Sequence, residues 1–146
     1  MHTRPAAGDL AETFTLEDQF QHAHEVAFGG DRATAVVVVF ADRACADDVE
    51  PWARALASGV GGRWRVVGVA AVGAVPTLFR GAVRGFLHGR PSVLLDWGNQ
   101  VSDRFGYEGS ECLVVVVDRG GVVRARVRGA LSDARYAEVV AAAGAA

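Results

Sequence analysis

Only two cysteines, Cys45 and Cys112, and a single methionine occur among the 146 residues, and every one of the 15 basic residues is an arginine. So few cysteines exclude a disulfide-stapled scaffold, and the pair reads as thiols rather than as a structural bridge. Basic charge is not in excess either. The formal net charge is −2 and the arginines are spread along the chain, which argues against wrapping nucleic acid. No apolar run approaches the ~20 residues of a membrane span. Residues 1–10 are polar and lack the apolar stretch of a secretory signal, so a cytoplasmic protein without a membrane partner is expected. Gly29-Gly30 and Gly61-Gly62 do not follow a phosphate-loop pattern, and neither a Gly-x-Ser-x-Gly elbow nor a Ser/His/Asp arrangement is evident. No cofactor is expected.

What is present is a large apolar fraction, 51% of the chain, enough to bury a full core without metals or staples. The length suits one domain over residues 1–146, with 1–9 as a loose tail. Short alternations at 13–16 and 24–28 suggest a hairpin broken by Gly29-Gly30. AVVVVF, residues 35–40, is continuously apolar and β-branched, as a central strand covered on both faces requires. Within 47–56, Val49, Trp52, Ala53 and Leu56 recur at helical spacing, with Pro51 tolerated only in the first turn. A strand at 64–71 and a helix at 76–87 follow, the helix carrying Leu78, Phe79, Val83, Phe86 and Leu87 on one side. Then come a strand at 92–95, a short helix at 101–105, an apolar strand at 113–117, its hairpin partner at 122–127, and a helix at 132–143 behind Ser132 as N-cap. Strands alternating with helices imply parallel crossovers, and the closing hairpin adds antiparallel strands.

Four stretches in this order resemble the redoxin group of the thioredoxin superfamily, which contains peroxiredoxins and thiol-disulfide reductases. GDLAETFTLEDQ, residues 8–19, looks like the entry strand and its Asp-Gln turn. AVVVVFADRAC, residues 35–45, is similar to the central strand and reactive loop, with Cys45 at the first cysteine. LLDWGNQVSDRFGY, residues 94–107, looks like the strand, Asp, short helix and Gly-Tyr ending. LVVVVDRGGVVRARVRG, residues 113–129, is similar to the terminal hairpin. The resemblance implies a thioredoxin-like three-layer α/β/α fold with a mixed central sheet.

Two departures bear on activity. The second cysteine of a reductase would be separated from the first by two residues, at the place where this chain has Asp48, and the Pro and Thr ahead of a peroxiredoxin cysteine are missing from Phe40-Ala41-Asp42-Arg43-Ala44. Cys112 falls at the place where the group carries a cis-proline facing the reactive cysteine. The resemblance therefore implies a thiol oxidoreductase or thiol peroxidase with Cys45 as nucleophile, Cys112 as resolving thiol and Arg43 as stabiliser of the thiolate. Its substrate would be a small thiol, a protein disulfide or a peroxide, and a homodimer is compatible with it.

The residues leave alternatives open. A helix N-terminus and Arg43 favour a thiolate, and Asp47 and Asp48 oppose it. Cys45 is either a redox thiol facing solvent or a small core residue, and Cys112 either resolves or packs as a hydrophobe beginning a strand. A non-catalytic binding module is the competing function, and a dimer formed through an uncovered edge strand is a third. Asp42 pairs with Arg43 or faces a substrate. Trp52 reads as core, Trp97 as a cleft wall or a cap. Arg80 and Arg84 read as a solvated stripe or an anion site, and His22 and His24 as surface residues or two metal ligands.

Overall fold

The computed structural model describes residues 7–30, 34–60 and 64–144. In chain order the elements are β1 (Phe14–Glu17), β2 (Ala23–Val26), β3 (Ala35–Ala41), a 3-10 turn (Arg43–Asp48), α1 (Val49–Val60), β4 (Trp64–Gly73), α2 (Thr77–Phe86), β5 (Leu94–Trp97), α3 (Gln100–Arg104), β6 (Leu113–Val117), β7 (Val123–Arg128) and α4 (Asp133–Gly144). The two longest β-branched runs take the middle of a five-stranded sheet of order β5-β4-β3-β6-β7, and every residue of β3 and β6 is buried. β3, β4 and β5 are parallel, while β6 runs antiparallel to β3 and β7 antiparallel to β6. The sheet is mixed, as expected.

Alternation along β3 divides the core. Val37, Val39 and Ala41 face α1 and α4, meeting Trp52, Leu56 and Val139. Val36, Val38 and Phe40 face the other way, onto Phe14 and Val26 of the separate β1–β2 hairpin and Val101 and Phe105 around α3. The second face is therefore covered by a hairpin and a short helix, with α2 outside that layer. Ser132 caps α4 as expected, its hydroxyl accepting the Arg135 N–H at 3.1 Å. The helix expected from residue 47 begins at Val49 instead, because residues 43–48 wind as a 3-10 turn capped by Asp42. Residues 8–11 are not loose: Gly8 and Ala11 donate to Val123 and Gly121 carbonyls, both at 2.8 Å, and Val123 returns a bond to Asp9. The remainder of the expected tail, residues 1–6, lies outside the described residues.

Asp18 and Gln19 lock the hairpin to the segment before β5. Gln19 Nε2 lies 2.9–3.2 Å from the carbonyls of Leu87, Arg90 and Pro91, and its Oε1 accepts the Val93 N–H at 2.9 Å. The Asp18 carboxylate accepts the Phe20 and His22 N–H groups at 2.8 and 3.0 Å and meets His24 Nε2 at 2.7 Å. Burial by itself would raise the pKa of Asp18, but the His24 contact and the backbone donors overcome it and hold the group at about 2, against an ordinary 3.8. A carboxylate depressed in the folded state stabilises at pH above its unfolded value, and that stabilisation drains away as the pH falls toward the folded value. Asp18→Asn should therefore lower the melting temperature at neutral pH. The gap to wild type should narrow as the pH falls from about 4 to about 2, as followed by circular dichroism.

Candidate thiol site

Sheet register brings the two cysteines to one end of the molecule. β3 and β6 are antiparallel with Phe40 opposite Leu113, so Ala41 and Cys112 are the next residues outward on the two strands. Beyond Ala41 the chain turns at Asp42, whose Oδ1 accepts the Ala44 N–H at 3.0 Å and starts the 3-10 turn. Asp42 Oδ2 accepts the Ser110 N–H at 2.9 Å, tying this turn to the loop that leads into Cys112. Close approach is possible there because residue 109 is glycine: its φ is +88°, and a Cβ would stand 2.9 Å from Asp42 Oδ2.

Cys45 sits inside the 3-10 turn, four residues ahead of Val49, with φ −123° and ψ 19° interrupting the helical path. That kink swings its side chain inward. The expected solvent-facing sulfur is instead buried, at 3% exposure, in the cluster that holds Val37, Val39, Trp52 and Cys112. It is not sealed among aliphatic groups alone: Sγ lies 3.2 Å from Tyr107 Oη and 3.5 Å from Asp42 Oδ1. The Tyr107 oxygen already accepts the Asp42 N–H at 2.9 Å, which leaves its O–H to donate to the sulfur. Cys112 is fully buried, and its Sγ lies 3.7 Å from the Cys45 carbonyl oxygen. Both cysteines are free thiols, and among the described residues all peptide bonds are trans.

Charge at the site follows from burial and these contacts. Burial raises the Tyr107 phenol well above the ordinary tyrosine range and the Cys45 contact adds to it, so Tyr107 keeps its proton at neutral pH. Burial likewise pushes the Cys112 thiol far up, reinforced by its neighbour Cys45. Asp42 goes the other way. Burial opposes its charge, but the Ser110 N–H, the Cys45 side chain and the Ala44 N–H hold it below its usual value, as a carboxylate. One protonated donor, one carboxylate acceptor and a second thiol thus surround Cys45. Arg43 does not join them. It is exposed on the turn, and among the described residues no hydrogen bond or ion pair links it to Cys45 or Asp42. The group touching the sulfur is Tyr107, which lies 62 residues away along the chain.

The remaining candidates fall elsewhere. Trp52 is core, fully buried with Nε1 donating to the Gly129 carbonyl at 3.0 Å. Trp97 lies beneath the guanidinium groups of Arg80 and Arg84, at 4.9 and 5.6 Å, so these arginines form neither a free stripe nor part of the thiol site. His24 is held by Asp18, and among the described residues no group of three or more His, Cys, Asp or Glu could hold a metal ion. No helix among them is long and apolar enough to cross a membrane.

Solved structures place this architecture. A protein from Chlorobium tepidum assigned as the thiol:disulfide interchange protein DsbE matches 97% of this chain and 97% of its own, with a TM-score of 0.72 and 19% identity. The chain is thioredoxin-like in fold. Other thioredoxin-like structures match too. The exposed lipoprotein thioredoxin Etrx1 of Streptococcus pneumoniae has a TM-score of 0.69 at 13% identity, over 89% of this chain and 98% of its own. The peroxidoxin BcpB of Mycobacterium tuberculosis has a TM-score of 0.62 at 20% identity, over 97% and 98%. No family's sequence profile matches the chain, and no curated protein resembles it in sequence. In this fold Cys45 lies four residues beyond the end of β3, and Cys112 directly precedes β6.

Proposed function

We propose that this chain is a thiol-disulfide oxidoreductase whose Cys45 and Cys112 cycle between a dithiol and a disulfide. The observation that carries the reading is the juxtaposition of the chain's only two cysteines across the turn, with Cys112 Sγ 3.7 Å from the Cys45 carbonyl. Cys45 is the first to react. Its thiol donates to Asp42 Oδ1 at 3.5 Å in the resting state and loses its proton to solvent as the turn opens, and the Tyr107 O–H stabilises the sulfur left behind. Attack on a substrate disulfide forms one S–S bond, breaks another and releases a substrate thiolate. Cys112, still carrying its proton, then attacks the Cys45 sulfur of the mixed disulfide, and its proton passes to the departing substrate sulfur. The substrate has gained two electrons, the two thiol protons have gone to solvent and to the released sulfurs, and the protein holds a Cys45–Cys112 disulfide. The turn must swing outward for the first step, and its exposed residues Arg43, Ala44 and Asp47 are the part free to move.

A peroxide is the less suited oxidant. Among the described residues, only Tyr107 offers the sulfur a side-chain donor to polarise an O–O bond, and Arg43 is exposed on the turn.

The test mixes reduced protein with a small aromatic disulfide and follows the released thiolate. Two substrate thiolates per protein and loss of both protein thiols are expected. Thiols that stay intact until denaturant is added would overturn the proposal and leave a binding module. Consumption of hydrogen peroxide but not of the disulfide would replace the substrate class. Tyr107→Phe should slow the first step about tenfold to a hundredfold, the worth of one hydrogen bond to a charged group. Stopped-flow measurement of the first thiolate release checks this, with unchanged circular dichroism as the control.

A further inference from the structure

α2 is turned the wrong way for a crossover helix. None of its side chains is buried. Arg80 and Arg84 face the body, stacked on Trp97, while Leu78, Phe79 and Phe86 point outward at 86%, 56% and 77% exposure. Phe20, 37% exposed, extends the patch through His88, whose ring lies 5.0 Å from it. A whole aromatic side chain covers 150–250 Å², so these four residues present roughly 500 Å² of apolar surface. A standard interface covers about 800 Å² per partner, and in homodimers about 65% of that is apolar. The patch therefore matches the apolar share of one homodimer face.

Shape and charge narrow the occupant. Between the bulky residues at 78–79 and at 86 lie Gly81, Ala82 and Gly85, all exposed, and a Cβ added at either glycine would meet nothing within 4 Å. The only charges within residues 76–87 are Arg80 and Arg84, which are held over Trp97, so the outward strip is neutral. A neutral strip offers nothing to an acidic peptide or an anionic bilayer, and it complements another neutral apolar strip. In an antiparallel crossing of two copies, Phe86 of each lies beside Leu78 of the other, and the small residues between them let the two helices approach closely. The helix dipoles then oppose. Arg90, which rims Phe86 at 5.7 Å, meets the uncharged start of the partner helix rather than its own counterpart. We propose that α2 is the seam of a two-fold homodimer, with Ala82 on the axis.

Sedimentation velocity from about 10 nM to about 100 µM, which takes in the weak end of the range spanned by interfaces of this size, provides the first test. The wild type should pass from monomer to dimer, and Phe86→Glu should remain monomeric with unchanged helicity and unchanged thiol exchange. A second test uses a Cys45→Ser/Cys112→Ser background. Ala82→Cys should cross-link to itself under oxidation. Thr77→Cys should not, because five residues at 1.5 Å each put it about 15 Å from its counterpart, beyond disulfide reach. A monomeric wild type at every concentration, a dimer that survives Phe86→Glu, or a monomer that pellets with phosphatidylglycerol vesicles would each overturn the proposal.

Discussion

Serine at position 45 should abolish disulfide exchange, whereas serine at position 112 should stop it halfway. Without the Cys45 sulfur there is no nucleophile at the turn, and Cys112 cannot replace it, because it is fully buried behind Cys45 and its proton is held far above neutral pH. Thiolate release by Cys45→Ser should fall to the uncatalysed background. In Cys112→Ser the first attack proceeds, but nothing displaces the substrate half, so one thiolate is released per protein and a mixed disulfide accumulates. Intact mass spectrometry reads the two outcomes as no adduct and one adduct. If Cys112→Ser released two thiolates, an external thiol would be the resolving partner and Cys112 only a packing residue.

Trp52→Ala is the change expected to cost most stability. The indole is fully buried between β3 and α4, and its N–H satisfies the Gly129 carbonyl. Truncation leaves a cavity and an unpaired acceptor, about 3–5 kcal/mol for an aromatic core residue, or a fall of roughly 10–15 °C in melting temperature for a chain of this size. Trp52→Phe keeps most of the volume and loses the hydrogen bond, so it should cost less, about 1–3 kcal/mol. Urea denaturation separates the two. Gly129 also donates to the Cys112 carbonyl at 2.9 Å, so the same bond steadies the strand end that carries Cys112. Trp52→Ala should therefore loosen the thiol site as well as the core.

The sheet was legible because its evidence is continuous. Runs such as AVVVVF and LVVVV have one structural use, a strand covered on both faces, and both lie at the centre. The hairpin turn at Asp118 and the capped helix behind Ser132 were equally readable, since one side chain makes the local bonds in each case. What depends on a side chain's direction within a loop was not. Cys45 was placed at the correct end of β3, yet its inward swing comes from one backbone kink in a 3-10 turn, and periodicity says nothing about a single residue outside a repeating element. Arg43 was the sequence neighbour to expect at the sulfur. The actual neighbour, Tyr107, arrives because β6 pairs antiparallel with β3 and the preceding loop folds back over Asp42. Its only sequence signal was its place in the Gly-Tyr ending of the short helix. For α2 the apolar side was legible and its exposure was not. The 3.6-residue period identifies a face but not what that face meets.

Mapping the sulfur bonds of the oxidised protein tests the central claim most directly. After treatment with a disulfide oxidant, digestion and mass spectrometry without reduction should recover a single linked pair of peptides, one holding Cys45 and the other Cys112, two hydrogen masses below the free thiols. Recovery of both peptides unlinked, with Cys45 and Cys112 still alkylatable, would contradict the account.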